Sequence, residues 1–352
     1  VSKSQLIAVS AVIIACGLAP AAAAQQPLDR VHRHNGVDSG QVTATTALGV
    51  TLSKSGVESS IAAEDIESIA FGGEPSELAA ARNAIQAGRM QDALDSLGKI
   101  PAQPDRREEI AADVAFYTAL AKAELALAGQ GAPDEAAALV RTFMAARRQS
   151  FHIPAAIELL GDLLSASGQH AAARAEYAKL AKAKTPYYIL RSALLVGRGW
   201  QAEGDHAQAL AEFDKVVAAT DTGELIEPLK LAATLDRAVS QAATGNGAES
   251  TAAIGEIIAQ ANPADAKLLA RAYNALGDCY LAAGDTRGAL YSFLHVDLLY
   301  NTEPEAHAKA LHELVPLWKA AKHADRSHEA ADELAKKYPT SRWAKLDGGG
   351  GF

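Results

Sequence analysis

The stretch Tyr273–Tyr300, YNALGDCYLAAGDTRGALYSFLHVDLLY, decides the fold. Leu276 and Tyr280 are four apart, so they fall on one helix face. Gly277 lies between them, where a missing side chain lets a second helix come close. Gly284 is placed to end the first helix in a left-handed turn, and Asp285 offers an N-cap for the next. Ala289 and Phe293, again four apart, give the second helix a small residue at the crossing and a ring to fill the space beyond it. The stretch reads as helix, tight turn, helix.

The same signature recurs. Gly197, Trp200, Gly204, Ala209 and Phe213 repeat it position for position, and so do Gly161, Leu164, Gly168, Ala173 and Tyr177. A fainter copy lies at Ala81, Ala84, Gly88, Ala93 and Leu97. A degenerate unit fits 229–263, between the second and third clear copies, and another fits 113–150, ahead of the first, with turns at Gly245–Gly247 and Gly129–Pro133. A last pair fits 305–322 and 327–338. Self-similarity at this period predicts about seven helix pairs stacked into an array whose core is shared between neighbours. The unequal units predict an irregular superhelix, with a break near Asp221–Gly223.

The order of small residue, aromatic, turn glycine, alanine and aromatic closely resembles the tetratricopeptide repeat family. Pro101, Pro186, Pro263 and Pro339 stand where that family places its closing prolines. The likeness covers 77–343. It implies a mainly α fold, an α–α superhelix whose inner groove binds a protein or peptide.

Before the array the period changes from 3.6 to 2. Strands are expected at 29–33, 40–45, 49–53, 57–61 and 66–71, with turns at Asn35–Gly36, Lys54–Gly56 and Ala63–Asp65. Five short strands must curl to bury a face. The module at 28–73 resembles an SH3-like or Sm-like β barrel, and Gly72–Pro75 links it to the helices.

Lys3, the apolar run Leu6–Leu18 and the small residues Ala21–Ala24 read as an export signal over 1–24. The run is too short to span a membrane as an anchor. The expected address is therefore the bacterial periplasm. Ile13–Gly17 also resembles a lipobox, which would instead tether the protein through lipidated Cys16. Residues 344–352 read as a flexible tail.

The net charge of -9, with scattered Lys and Arg, argues against nucleic acid as a partner. Catalytic motifs are missing: there is no His-Glu-x-x-His, no zinc-spaced cysteine pair and no Gly-x-Ser-x-Gly. Cys279 reads as a buried structural thiol, and His32 and His34, with Asp29 and Asp38, form only a minor metal candidate. No cofactor and no metal are expected. The candidate binding surface is basic and aromatic: Arg147, Arg148, Lys184, Tyr187, Tyr188, Arg191, Arg198 and Trp200, suited to an acidic peptide on the concave side. These features point to a non-enzymatic exported adaptor, engaged in envelope organisation. The competing expectation is an envelope enzyme or assembly factor that uses the repeats as a frame.

Overall fold

The computed structural model describes residues 28–103, 106–339 and 341–346. The export segment with Cys16, and the end of the tail from 347, lie outside the described residues. Seven helix pairs follow one another along the array: α1 (Ser76–Gln86) with α2 (Met90–Leu97), α3 (Glu108–Leu127) with α4 (Pro133–Ala146), α5 (Ile153–Ala166) with α6 (His170–Tyr177), and α7 (Pro186–Ala202) with α8 (His206–Val217). Next come α9 (Ile226–Ala243) with α10 (Gly247–Gln260), α11 (Ala266–Ala282) with α12 (Thr286–Leu299), and α13 (Pro304–Ala320) with α14 (Ala324–Lys337). A short α15 (Arg342–Lys345) closes on α13.

The repeated glycine sets each clear crossing. A Cβ added to Gly277 would stand 2.5 Å from the Phe293 ring, and one on Gly197 would stand 2.6 Å from Phe213. Gly161 would collide with Tyr177 in the same way. The aromatic of each second helix thus lies flat on the bare backbone of the first. Ala173, Ala209 and Ala289 are fully buried beside it. Tyr280 is only half-buried, and packs beside Gly288 at the start of the next helix. Asp205 and Asp285 cap as expected, accepting from Gln208 N at 3.1 Å and Gly288 N at 2.9 Å. Six of the seven turns carry a left-handed glycine, Gly284 at φ 75° among them; in the last, Lys322 takes that conformation at φ 65°.

First helices touch the first helices of neighbouring pairs, α1 with α3, α3 with α5, α7 with α9, α9 with α11 and α11 with α13, while second helices pack against first helices. The first helices therefore line the inner wall. The expected break at 221–223 does not occur: Phe213 and Val216 before it share one core with Ile226 and Leu229 after it.

Five strands form one antiparallel sheet, in the order β4-β3-β2-β1-β5. They are β1 (Asp29–Arg33), β2 (Gly36–Thr46), β3 (Gly49–Lys54), β4 (Val57–Ala62) and β5 (Ile66–Ala70). The second strand is longer than expected. It starts at Gly36 directly after the His34–Asn35 turn, and its first half pairs with β1 while its second half pairs with β3. At the bend, a Cβ on Gly40 would meet the Ser53 carbonyl at 2.6 Å, so only glycine lets the strands close up there. A 3-10 turn, Ala63–Asp65, carries the chain from β4 to β5.

The sheet and the array share a core. Val31, Ile69 and Phe71 belong to the same buried cluster as Leu78, Phe116 and Leu160. Asp29, 1% exposed, is the polar pin of this junction. Its carboxylate accepts from Val42 N and Gly72 N at 2.7 Å each, and from the two Nη groups of Arg107 at 2.8 and 3.0 Å. Arg107 also donates to the Val42 carbonyl and lies over the Phe71 ring, 5.0 Å from its centroid.

If the ring-on-glycine crossing sets the helix spacing, Gly277→Ala should destabilise the protein by about 1–3 kcal/mol through overpacking. Gly255→Ala on α10, where nothing stands within 4 Å of an added Cβ, should instead stabilise by about 0.5–1 kcal/mol. Urea unfolding of the two variants measures the contrast; equal shifts would contradict it.

Candidate functional site

A run of buried polar groups fixes the wall between sheet and array. Arg82 of α1 pairs with Glu74 of the linker and with Asp113 of α3, at 3.3 Å for the second. Asp113, fully buried, also meets His152 Nε2 at 2.9 Å. His152 stacks on Phe116 with centroids 3.9 Å apart, and Tyr117 meets its edge. Burial, then the charge of Asp113, raises the Tyr117 hydroxyl well above its ordinary value. These side chains are held by three elements at once, so the surface they present is pre-formed.

That surface bounds a cleft of about 470 Å³ between β5, the 3-10 turn and the inner faces of α3, α5 and α7. Aromatic walls come from Phe116, Tyr117, Phe151, Tyr187 and Tyr188. Carboxylates converge on it as well: Glu64 from the 3-10 turn, Glu67 from β5, Glu124 from α3, Glu158 and Asp162 from α5. Arg191 holds both oxygens of Glu158, Nη2 donating to Oε2 at 2.6 Å and Nε to Oε1 at 3.1 Å. Asp162 accepts from the Tyr177 hydroxyl at 2.6 Å. Burial, then the charge of Asp162, raises the Glu124 carboxyl. Partial desolvation raises the Asp162 carboxyl although the residue keeps an exposed edge, and the Tyr177 hydrogen bond opposes the rise.

The basic residues singled out in the sequence do not form one free patch. Arg191 is spent on Glu158, and Arg198 on Asp236 of α9 at 2.6 Å. Arg147 pairs with Glu108 at the start of α3, and Arg148 donates to the Ala145 carbonyl. Lys184 sits exposed in a left-handed conformation after the 3-10 turn Leu180–Ala183. Trp200 lies under the Arg174 guanidinium, 3.5 Å from its ring centroid. Of these residues only Tyr187 and Tyr188 line the cleft, and Arg191 reaches it through its pair with Glu158. The reason is a ladder along the inner wall, in which each first helix offers a charge to the next: Glu158–Arg191, Arg198–Asp236 and Asp278–Lys309. Arg271 also faces Asp236, at 4.0 Å, and burial followed by the neighbouring Arg198 lowers its guanidinium from the ordinary value.

Other candidates resolve into packing. Cys279 is fully buried, and burial followed by Asp278 pushes its thiol up to about 12, so it stays protonated. The minor metal candidate is not assembled: Asp29 faces Arg107, Asp38 pairs with Arg33, and His34 meets Glu67 at 3.0 Å. Asp297, His307 and Glu333 do bring ligand atoms within 4.8 Å of one another. Both His307 ring nitrogens, however, are taken by Asp297 at 2.9 Å and the Tyr338 hydroxyl at 2.8 Å. Among the described residues, no helix is long and apolar enough to cross a membrane.

No protein-family model and no curated protein matches the chain. Solved structures do. A tetratricopeptide repeat protein from Parabacteroides merdae is similar at 18% identity, over 77% of this chain and 97% of that one, with a TM-score of 0.51. The architecture is therefore that of a tetratricopeptide-like superhelix. PilW, described as a widely conserved type IV pilus biogenesis factor, aligns at 17% identity over 67% of this chain and 97% of its own, with a TM-score of 0.43. Pseudomonas aeruginosa PilF aligns at 14% over the same shares, at 0.38.

The raised Glu124 carboxyl sets a pH dependence. Its folded value lies above its unfolded one, so the charged form costs stability near neutrality and protonation relieves that cost. Glu124→Gln should therefore melt above the wild type at pH 7. The gap should narrow as pH falls toward and below 4.5, the ordinary value of the group. A gap independent of pH would rule out the buried charge of Glu124 as its source.

Proposed function

We propose that this protein is an exported, non-catalytic scaffold that holds a protein partner on the inner face of its helical array, at the end capped by the sheet. The observation that carries the reading is the pre-formed cleft where the aromatic inner wall meets β5. Such a site, concave, with aromatic walls and convergent polar groups, is what a binding surface requires. Of the residues singled out in the sequence, Tyr187, Tyr188 and Arg191 belong to this contact. Export draws support from the charged, apolar and small-residue succession of 1–24, with lipidation at Cys16 as its tethered variant. The strand order, with a 3-10 turn before the last strand, supports reading the sheet as an SH3-like module that serves as a docking cap.

One observation favours a second reading. Two carboxylates with raised values in one cleft, Glu124 and Asp162, are also what an envelope hydrolase would use for acid–base work. Fixed stacking rings and spent arginines suit holding better than turnover, and the scaffold reading is preferred.

Ala155 is exposed on α5 and lines the cleft. Ala155→Trp should fill it without disturbing the core. In affinity capture from an envelope extract, partners held by the wild type should be lost by Ala155→Trp and kept by Lys309→Ala at the far end of the array. Equal recovery by both variants would refute the site. Turnover of a wall-derived glycan by the wild type but not by Asp162→Asn would replace the scaffold with the enzyme.

A further inference from the structure

The cleft carries more negative charge than it neutralises. Glu67 meets His34, and Glu158 is held by Arg191. Among the described residues Asp162 takes its hydrogen bond from a neutral hydroxyl, that of Tyr177; the nearby charges of Arg191 and Arg198 act on it, but each of those arginines is already paired with another acid. The Glu124 carboxylate has no hydrogen bond or ion pair among the described residues, and its electrostatic neighbour is Asp162, a like charge. Independently, Glu64 Oε2 on the opposite wall is a buried acceptor with no hydrogen-bond partner. Arg82 does not relieve this, being committed to Glu74 and Asp113. A buried acceptor left unmade costs free energy, and the like charges of Glu124 and Asp162 add repulsion. Sites that lower stability in this way commonly serve a ligand.

We propose that the cleft takes a basic side chain, arginine or lysine, presented by an extended peptide; this rests on the scaffold reading above. The cation stands at the Glu124–Asp162 pair and its methylene stem lies against the aromatic wall, where the half-buried Tyr187 supplies a ring face. A further donor of the peptide reaches Glu64 Oε2. An extended chain is favoured over a free amine by the wall opposite the helices. There β5 is the end strand of the sheet, and Ile66, Glu67 and Ser68 bring its outer edge to the cleft. Such an edge offers main-chain donors and acceptors to a further strand. The volume, about 470 Å³, lies within the range of roughly 300–1,000 Å³ usual for ligand sites. The partner is thus of opposite charge to the one the basic residues of the sequence led us to expect.

Fluorescence anisotropy with a labelled octapeptide of alternating arginine and leucine tests this, beside its counterpart with glutamate for arginine. The wild type should bind the basic peptide at least about tenfold more tightly than the acidic one. The double variant Glu124→Gln, Asp162→Asn should lose about tenfold in affinity while melting no lower than the wild type, which separates lost binding from lost folding. The charge-matched control Glu329→Gln, Asp332→Asn on α14 should bind like the wild type. Unchanged binding by the cleft variant, equal binding of both peptides, or no binding of the basic peptide by the wild type would each overturn the proposal. Displacement of the peptide by equimolar spermine would also overturn it, assigning the site to a free polyamine. If Ala155→Trp loses the captured partner while the Glu124→Gln, Asp162→Asn variant keeps it, the scaffold reading stands and the cationic ligand falls.

Discussion

One buried carboxylate makes the candidate site possible. Asp29 is satisfied twice, by two main-chain N–H groups of its own module and by the fork of Arg107 from the start of α3. A carboxylate taken out of water is tolerable only when its hydrogen-bonding capacity is filled, and here a single arginine from the array completes it. The sheet is therefore fixed to the helices by a polar geometry, with the shared apolar cluster behind it supplying the bulk of the contact. The gap left on the other side of that junction, between β5 and the first helices, is the cleft. Without a docked sheet, the inner wall of α3, α5 and α7 would be an open groove.

The array itself follows a different rule. Each clear repeat is spaced by a ring against a glycine, so helix pairs form almost without regard to the residues facing the groove. That freedom lets the inner wall carry charge. The rungs Glu158–Arg191, Arg198–Asp236 and Asp278–Lys309 each join neighbouring first helices, and half-buried pairs of this kind fix register more than they add stability. The ladder neutralises most of the inner wall but not its capped end. There the acids of α3 and α5 meet those of the sheet, and the local excess follows from bringing two acidic surfaces together.

The repeats were legible in the sequence because their grammar is local. Gly277 and Phe293, or Gly197 and Phe213, lie sixteen residues apart across one tight turn, and the same spacing recurs. The β strands were nearly as plain, apart from β2, whose first residues pair only because Gly40 lets the strand bend. Of the site, only Tyr187 and Tyr188 were legible. Asp29 and Arg107 stand far apart in the chain, as do Glu64 and Asp162, and no local pattern joins them. The basic cluster around Tyr187 misled for the same reason. Arg191 and Arg198 are near each other in sequence, but each is answered by an acid one repeat away, and a count of charges along the chain does not register such pairing. Periodicity places helices; it says little about which charges remain once neighbouring helices have neutralised one another.

Arg107 holds the sheet on the array, and the cleft exists through this docking. Backbone amide exchange of Arg107→Met measures that dependence directly. The expected result is faster exchange in β1, in β5 and in the first turns of α3, with the pairs from α9 to α14 protected as in the wild type. Wild-type protection throughout β1 and β5 in that variant would contradict it.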